Sequence, residues 1–242
     1  MELKIGCCGF PQTRQMYYRT LPMVEIQKTF FQPPRVKTAQ KWRQESSPYF
    51  EFTLKAWQLI THRPSSPTYQ RLSHPIPEGS RRDAYGSFKP TPETFKAWKD
   101  TLDVARALET EVVVFQSPSS FGPGPKNMAQ MRKFFSTIER DGLKMAWEPH
   151  GQWTLEEAGK LCRELDLLHV VDPLQGREKA GSVIYWRLHG IGSYRHRYTD
   201  QELGKVVTML HKSKKKKAYV LFNNIHMWED AQRFLQIWEK RK

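Results

Sequence analysis

The sequence predicts an α/β fold, a single (β/α)8 barrel of the TIM type over residues 1–242. Three observations carry that prediction. Short β-rich runs alternate with amphipathic stretches almost from end to end, the pattern of repeated β-α units on a parallel sheet. The length suits one closed barrel, which typically needs about 250 residues. Nearly every β-rich run closes on a polar side chain, as strands ending around one shared mouth would.

Taken in order, strands are expected at residues 3–9, 24–30, 50–56, 112–116, 144–148, 168–172, 183–189 and 218–222. Helices are expected near 36–46, 93–108, 127–140, 155–165, 200–211 and 228–240. Thr154 with Glu157, and Thr199 with Glu202, have the spacing of a capping box, and Thr91-Pro92 puts proline at a first helical position. The link 173–182 is short and polar, so one outer helix should be reduced to a turn. A hydrophobic fraction of 38% with 12% aromatics can fill a core, which argues against wholesale disorder. No stretch approaches the roughly 18 apolar residues of a membrane span, and no secretory leader is visible. A cytoplasmic location without a membrane partner is therefore expected, with the oligomeric state open. Cys7, Cys8 and Cys162 form neither a disulfide framework nor a CxxC pair, and read as reduced, buried thiols.

The formal charge of +14 attracts acidic partners, nucleic acid foremost. Its distribution matters more than its size. A long connection at 61–91 is rich in Pro and Ser and carries Arg63, Arg71, Arg81, Arg82 and Lys89. It follows a strand, so it belongs on the face where the strands' C-terminal ends emerge and barrels carry active sites. Arg195 and Arg197, after the seventh strand, share that face. The lysine-rich run 212–217 precedes the eighth strand and belongs on the opposite face, where a solvated loop is the expected meaning.

The segment Val183-Ile-Tyr-Trp-Arg-Leu-His-Gly190 is the sharpest pointer to chemistry. Strand side chains alternate with period two, so Arg187 and His189 share one side while Trp186 and Leu188 take the other. A solvated edge strand would give the same pattern. The other strand ends favour a common mouth instead: Glu25 and Gln27 on the second, Lys55 on the third, Gln116 on the fourth, Glu148 with His150 on the fifth, Asp172 on the sixth, and Asn223 with Asn224 on the eighth. A buried network sealing the barrel top would be the bland account, but buried ion pairs stabilise little relative to apolar packing.

His189 is the natural general acid or base, because histidine's unperturbed pKa lies nearest neutrality. Glu148 would orient a water or take a proton, with Glu25 as the second carboxylate of the catalytic set. Arg187 would grip a carboxylate or phosphate through its planar fork. Asn223 and Asn224 would donate hydrogen bonds to substrate oxygens, and Lys55, Gln116, His150 and Asp172 complete the binding set. Three carboxylates against Lys55 and Arg187 leave one net negative charge, which argues against a bare carboxylate cage for a cation. His189, His226 or His62 with Glu148 and Asp172 could hold zinc or manganese, but no ligand spacing as specific as HExxH occurs. The cofactor is thus unspecified, with a divalent metal the less favoured outcome. On their own, His62 and His226 read as solvated loop histidines.

Seven segments in order, Ile5-Gly-Cys-Cys-Gly9, Val24-Glu-Ile-Gln-Lys-Thr-Phe-Phe31, Leu54-Lys-Ala-Trp-Gln-Leu-Ile-Thr-His62, Phe115-Gln-Ser-Pro-Ser-Ser-Phe121, Trp147-Glu-Pro-His-Gly-Gln-Trp153, Tyr185-Trp-Arg-Leu-His-Gly190 and Phe222-Asn-Asn224, together resemble the YecE-like family, the domain of unknown function seventy-two. The resemblance implies a TIM-type barrel related in fold to sugar isomerases and to metal-dependent abasic-site endonucleases, without an established reaction. It places the family's recurrent polar positions on Glu25, Lys55, His62, Gln116, Glu148, Arg187, His189, Asn223 and Asn224. The chain departs from the family pattern at Gln27-Lys28, Ser117-Pro118 and His150.

The expected function is an enzyme, hydrolase or endonuclease-like or isomerase-like, acting by acid/base or hydrolytic chemistry on a phosphorylated small molecule or nucleic acid at the barrel mouth. The alternative is a noncatalytic nucleic-acid-binding protein that uses the basic surface.

Overall fold

The computed structural model describes residues 1–76 and 79–241; Pro77 and Glu78, within the long third connection, and Lys242 lie outside the described residues. Eight strands run parallel: β1 (Glu2–Cys8), β2 (Met23–Ile26), β3 (Glu51–Lys55), β4 (Val112–Gln116), β5 (Lys144–Glu148), β6 (Leu167–His169), β7 (Ile184–Leu188) and β8 (Lys217–Phe222). They are ordered β6-β5-β4-β3-β2-β1-β8-β7. Just past β6, Val171 bridges Trp186 of β7, and the Arg187 amide donates to the Val171 carbonyl at 3.0 Å. That contact brings the sheet to a nearly closed TIM-type barrel, with every residue of β7 buried. The strand carrying Arg187 and His189 is therefore no solvated edge.

The outer layer comprises α1 (Arg14–Thr20), α2 (Lys28–Phe31), α3 (Val36–Glu45), α4 (Gln58–Thr61), α5 (Pro92–Ala107), α6 (Pro125–Thr137), α7 (Leu155–Glu164), α8 (Asp200–His211) and α9 (Met227–Glu239). As the short 173–182 link implied, no helix separates β6 from β7 among the described residues. Among those residues, no helix is long and apolar enough to cross a membrane.

Three local expectations need correction. The second strand stops at Ile26 rather than continuing to residue 30, because the Thr29 hydroxyl donates to the carbonyls of Ile26 and Lys55 and the chain turns into α2. The sixth strand ends at His169 rather than 172, since Asp172 accepts from the Leu174 amide at 3.0 Å and starts a turn. The helix α1 was hidden in a polar stretch whose buried anchor is Tyr17. Its hydroxyl donates to the Met23 carbonyl at 2.8 Å and accepts from the Cys7 amide at 2.7 Å, tying the helix to two strands.

The long connection after β3 is more ordered than its composition suggests. The amides of Gly86, Ser87 and Phe88 donate to the carbonyls of Leu59, Thr61 and Ile60 at 2.8, 3.1 and 2.8 Å. Phe88 then buries its ring beside Phe115, Phe121, Phe134 and Phe135. The connection ends in a capping box at α5: the Thr91 hydroxyl accepts from the Thr94 amide at 3.3 Å and donates to the Ala84 carbonyl at 2.7 Å. Thr91→Ala removes both bonds and is expected to cost about 1–2 kcal/mol in urea denaturation. A smaller cost than this would show that the loop is held elsewhere.

Inward positions follow period two. A central apolar plug of Met23, Val112, Val114, Ala146, Leu168, Val170, Tyr185 and Leu221 fills the barrel. Beneath it, at the N-terminal ends, Glu51 pairs with Lys4 at 2.8 Å and with Lys217 at 3.0 Å, while the Tyr219 hydroxyl donates to Glu51 at 2.9 Å. The run 212–217 thus belongs to this lower face. Above the plug lies a layer of charged and polar side chains.

Candidate functional site

Period two brings Glu25, Lys55, Gln116, Glu148, Arg187, His189 and Asn223 to the C-terminal mouth, each from the end of a different strand except the pair on and after β7. Arg187 organises the floor. It is fully buried, and its guanidinium donates to Glu148 from one terminal nitrogen and to Glu25 at 3.0 Å from the other. The second oxygen of Glu25 accepts from the Tyr185 hydroxyl at 2.7 Å, which in turn lies 2.8 Å from the Thr53 hydroxyl. The Gln27 amide also donates to Glu25.

This geometry corrects the expectation that Arg187 grips substrate. Its fork is occupied by two buried carboxylates and it has no exposed surface, so it acts by positioning them. Glu25, likewise fully buried, stands in the second tier rather than at the reacting surface. Tyr185 and Thr53 belong to the same network, and the sequence signal for Tyr185 was available: it precedes Arg187 by two and shares its face.

Glu148 links floor to mouth. One oxygen lies 2.7 Å from His189 Nε2; the other accepts from Arg187 and from the Gln116 amide at 2.6 Å, with His150 Nε2 at 3.5 Å. Burial alone would raise its pKa, but the Arg187 charge and hydrogen bonds from His150 and His189 outweigh burial and hold it well below the usual carboxylate range. Glu148 is therefore an anion at neutral pH. Asn223 Nδ2 lies 3.0 Å from His189 Nδ1, so a donating amide leaves the imidazole proton on Nε2, facing Glu148. His189 keeps 27% of its side chain exposed.

Lys55 forms the opposite wall. Its ammonium donates to Gln116 and lies 3.9 Å above the Phe30 ring. His150, exposed on the rim, sits 3.1 Å from the Gln116 amide nitrogen. Asp172 accepts from the His189 amide at 3.2 Å, and burial raises its pKa. Gly151 (φ +91°) turns the chain after His150 where an added Cβ would lie 2.3 Å from the Ser119 carbonyl, so the loop carrying His150 requires glycine. A cavity of about 440 Å³ opens between Glu148, His150, Asp172 and His189.

Three candidate residues lie away from the open mouth. Asn224 is fully buried and donates to the His196 carbonyl at 2.7 Å and to Asp230 at 2.8 Å, bracing the loop after β7 against α9. Period two explains it, since Asn223 and Asn224 cannot both face the mouth. His226 lies at the N-cap of α9. His62 is not the solvated loop residue expected from sequence: it is buried edge-on against Phe30, its ring centroid 4.9 Å away, with Nδ1 2.8 Å from the Thr61 hydroxyl. Burial, followed by the Lys55 and His150 charges, lowers its pKa to about 3, so it is a neutral imidazole beneath the mouth. Burial pushes the Cys7 thiol up to about 12 and the Cys8 thiol well above its usual range, so neither is a thiolate nucleophile.

The donor set does not fit a divalent cation. Among the described residues no three His, Cys, Asp or Glu side chains converge as ligands. Both Glu148 oxygens are already engaged, and the Arg187 charge sits between the two carboxylates a metal would need.

No curated protein matches this chain. Among solved structures, a DUF72 family protein from Enterococcus faecalis V583 superposes with a TM-score of 0.75 at 16% identity, covering 98% of this chain and 95% of that one. A DUF72 family protein from Thermotoga maritima MSB8 gives 0.68 at 18% identity, covering 99% and 100%. Endonuclease IV from Thermus thermophilus gives 0.56 at 14% identity, covering 99% and 98%. Likeness at such identities concerns the fold. The family model described as "Protein of unknown function DUF72" matches residues 10–242, a span that takes in every mouth residue described above, and the chain belongs to that family.

Proposed function

We propose that the protein is an enzyme whose C-terminal mouth performs acid/base or hydrolytic chemistry on a phosphate-bearing substrate, either a phosphorylated small molecule or nucleic acid. The observation that carries this reading is His189, held between Glu148 and Asn223 with part of its ring open to the cavity. A histidine paired with a carboxylate through Nε2 can take or give a proton at Nδ1 once substrate displaces the Asn223 amide from that nitrogen. Glu148 stabilises the charged imidazolium; Gln116, His150 and Asn223 supply hydrogen bonds to substrate oxygens. Glu25 and Arg187 fix the carboxylate from below.

The phosphate follows from charge on the same face. Arg63, Arg82, Lys89 and Lys126 line a second cavity of about 500 Å³ beside the long β3–α5 connection, with Asp83 as its acidic member. Burial and the nearby Arg63 charge lower the Lys89 pKa against the pull of Asp83, as expected where cations outnumber acidic groups. Endonuclease IV shares this barrel, which agrees with a nucleic-acid substrate while leaving the reaction open.

The noncatalytic reading has its own support: Arg177, Lys205, Lys212 and Arg241 line a cavity of about 450 Å³ that has no acidic lining residue among the described residues. The two readings part in one experiment. Phosphorylated sugars and oligonucleotides are assayed for turnover and for binding across a salt series, with wild type, Glu148→Gln, and Lys205→Glu with Lys212→Glu. The enzyme reading expects Glu148→Gln to abolish turnover while binding persists. Binding without turnover, lost only in the lysine variant and falling steeply with salt, would establish the binder instead.

A further inference from the structure

We propose that Lys55 is an amine nucleophile that captures a carbonyl carbon of the substrate as an imine, so that the substrate of the proposed mouth carries an aldehyde or ketone as well as phosphate. This rests on the acid/base reading above and names the substrate class more narrowly.

The geometry sets Lys55 apart from the protein's other lysines. It ends β3, points inward, and is buried in the mouth. Among the described residues it has no carboxylate within ion-pair distance: both nearby acids are held by Arg187, and the Lys55 nitrogen donates to the neutral Gln116 carbonyl. Burying an ammonium without an ion-pair partner is unfavourable, which shifts the balance toward the neutral amine. The Phe30 ring 3.9 Å below attracts the charged form and opposes that tendency. Burial prevails: it is the largest influence, the Arg187 charge adds to it, and the pKa falls to about 8 against the pull of Glu148, Glu25 and Cys8. The remaining groups facing Lys55 are neutral His62 and, through Gln116, His150 on the rim.

Proton carriers stand where imine chemistry needs them. The Lys55 lone pair attacks the carbonyl carbon; a C–N bond forms, and the carbonyl π pair moves to oxygen, which takes a proton. The nitrogen loses a proton, giving a neutral carbinolamine. Its hydroxyl then leaves as water with a proton from the mouth, and the nitrogen lone pair closes the C=N bond. His189 and His150, joined through Glu148 and Gln116, are the acid and base for these transfers. Neither step needs an oxidant or reductant.

The test treats the full chain with glycolaldehyde phosphate and sodium cyanoborohydride at pH 7, where reduction fixes any imine, and maps labelled peptides by mass spectrometry. A pKa near 8 gives a neutral fraction on the order of 100-fold above that of an ordinary lysine of pKa about 10.4. Lys55 is therefore expected to label at least tenfold faster than exposed lysines such as Lys205, at a rate that levels off above pH 8. Lys55→Met should lose that peptide's label alone while keeping the wild-type circular dichroism. Because peptide mapping of the wild type decides the matter, a poorly folded variant does not block it. Lys55 left unlabelled, or labelled no faster than Lys205, overturns the imine. In that case a turnover that still depends on His189 leaves the acid/base reading standing, whereas turnover indifferent to His189 removes that reading and not the labelling result.

Discussion

Arg187→Met is expected to destabilise the barrel by about 3–5 kcal/mol at neutral pH, read as a fall in the urea midpoint, because it strands two buried carboxylates. In the native protein both terminal nitrogens of Arg187 are bonded to Glu25 and Glu148, and none of the three side chains is more than marginally exposed. The pH dependence has a definite sign. The Glu148 pKa is lowered on folding, so its contribution is fully present above the ordinary carboxylate value of about 4.3 and is lost as pH falls through the lowered folded value. Once the guanidinium is gone, burial governs the Glu148 carboxyl and favours its protonated form. The deficit relative to wild type should therefore be largest near neutrality and shrink on acidification. Adding Glu25→Gln and Glu148→Gln to Arg187→Met removes the stranded charges and should restore more than half of the loss. A deficit below about 1 kcal/mol, or one that does not change with pH, would mean that the triad is not the buried electrostatic unit described here.

His189→Asn is expected to lower kcat/KM by about 10²–10⁴-fold, the usual contribution of a positioned general acid or base, on whichever phosphate-bearing substrate the wild type turns over. Stability should change little, because Glu148 keeps its bonds to Arg187 and Gln116. The pH profile adds a readout that a merely structural histidine would not move. Glu148 is ionised throughout the neutral range, so a neutral-range limb in the wild-type kcat/KM profile belongs to another group. Its disappearance in His189→Asn assigns that limb to His189. A variant with unchanged turnover, or one that loses activity together with its fold, would remove His189 from the chemistry.

Much of this site was legible from alternation. Period two applied to β7 put Arg187 and His189 on one face, and Glu25, Lys55, Gln116 and Glu148 followed from the ends of their own strands. Asn224 shows the limit of pooling neighbours, since adjacent strand-end residues face opposite ways and its amide serves Asp230 and the loop after β7. His62 shows another. Its solvation depended on where residues 58–62 packed, and the one-turn α4 buried it against Phe30 of α2, which belongs to the preceding β-α unit.

By itself the sequence determined the barrel, the strand ends that form its mouth, and the face on which each basic segment lies. These follow from local periodicity and from the fixed geometry of repeated β-α units, which need no knowledge of partners. Only the tertiary structure decided which polar residues stay accessible at the mouth and which are buried framework. Arg187 looked like an anion clamp and proved to be the buried centre of a carboxylate pair, while Lys55 looked like one more exposed cation and proved to be buried, with no ion-pair partner among the described residues. The physical reason is that charge state and exposure depend on neighbours from distant strands and on the depth of burial they share, and closing the barrel sets both at once.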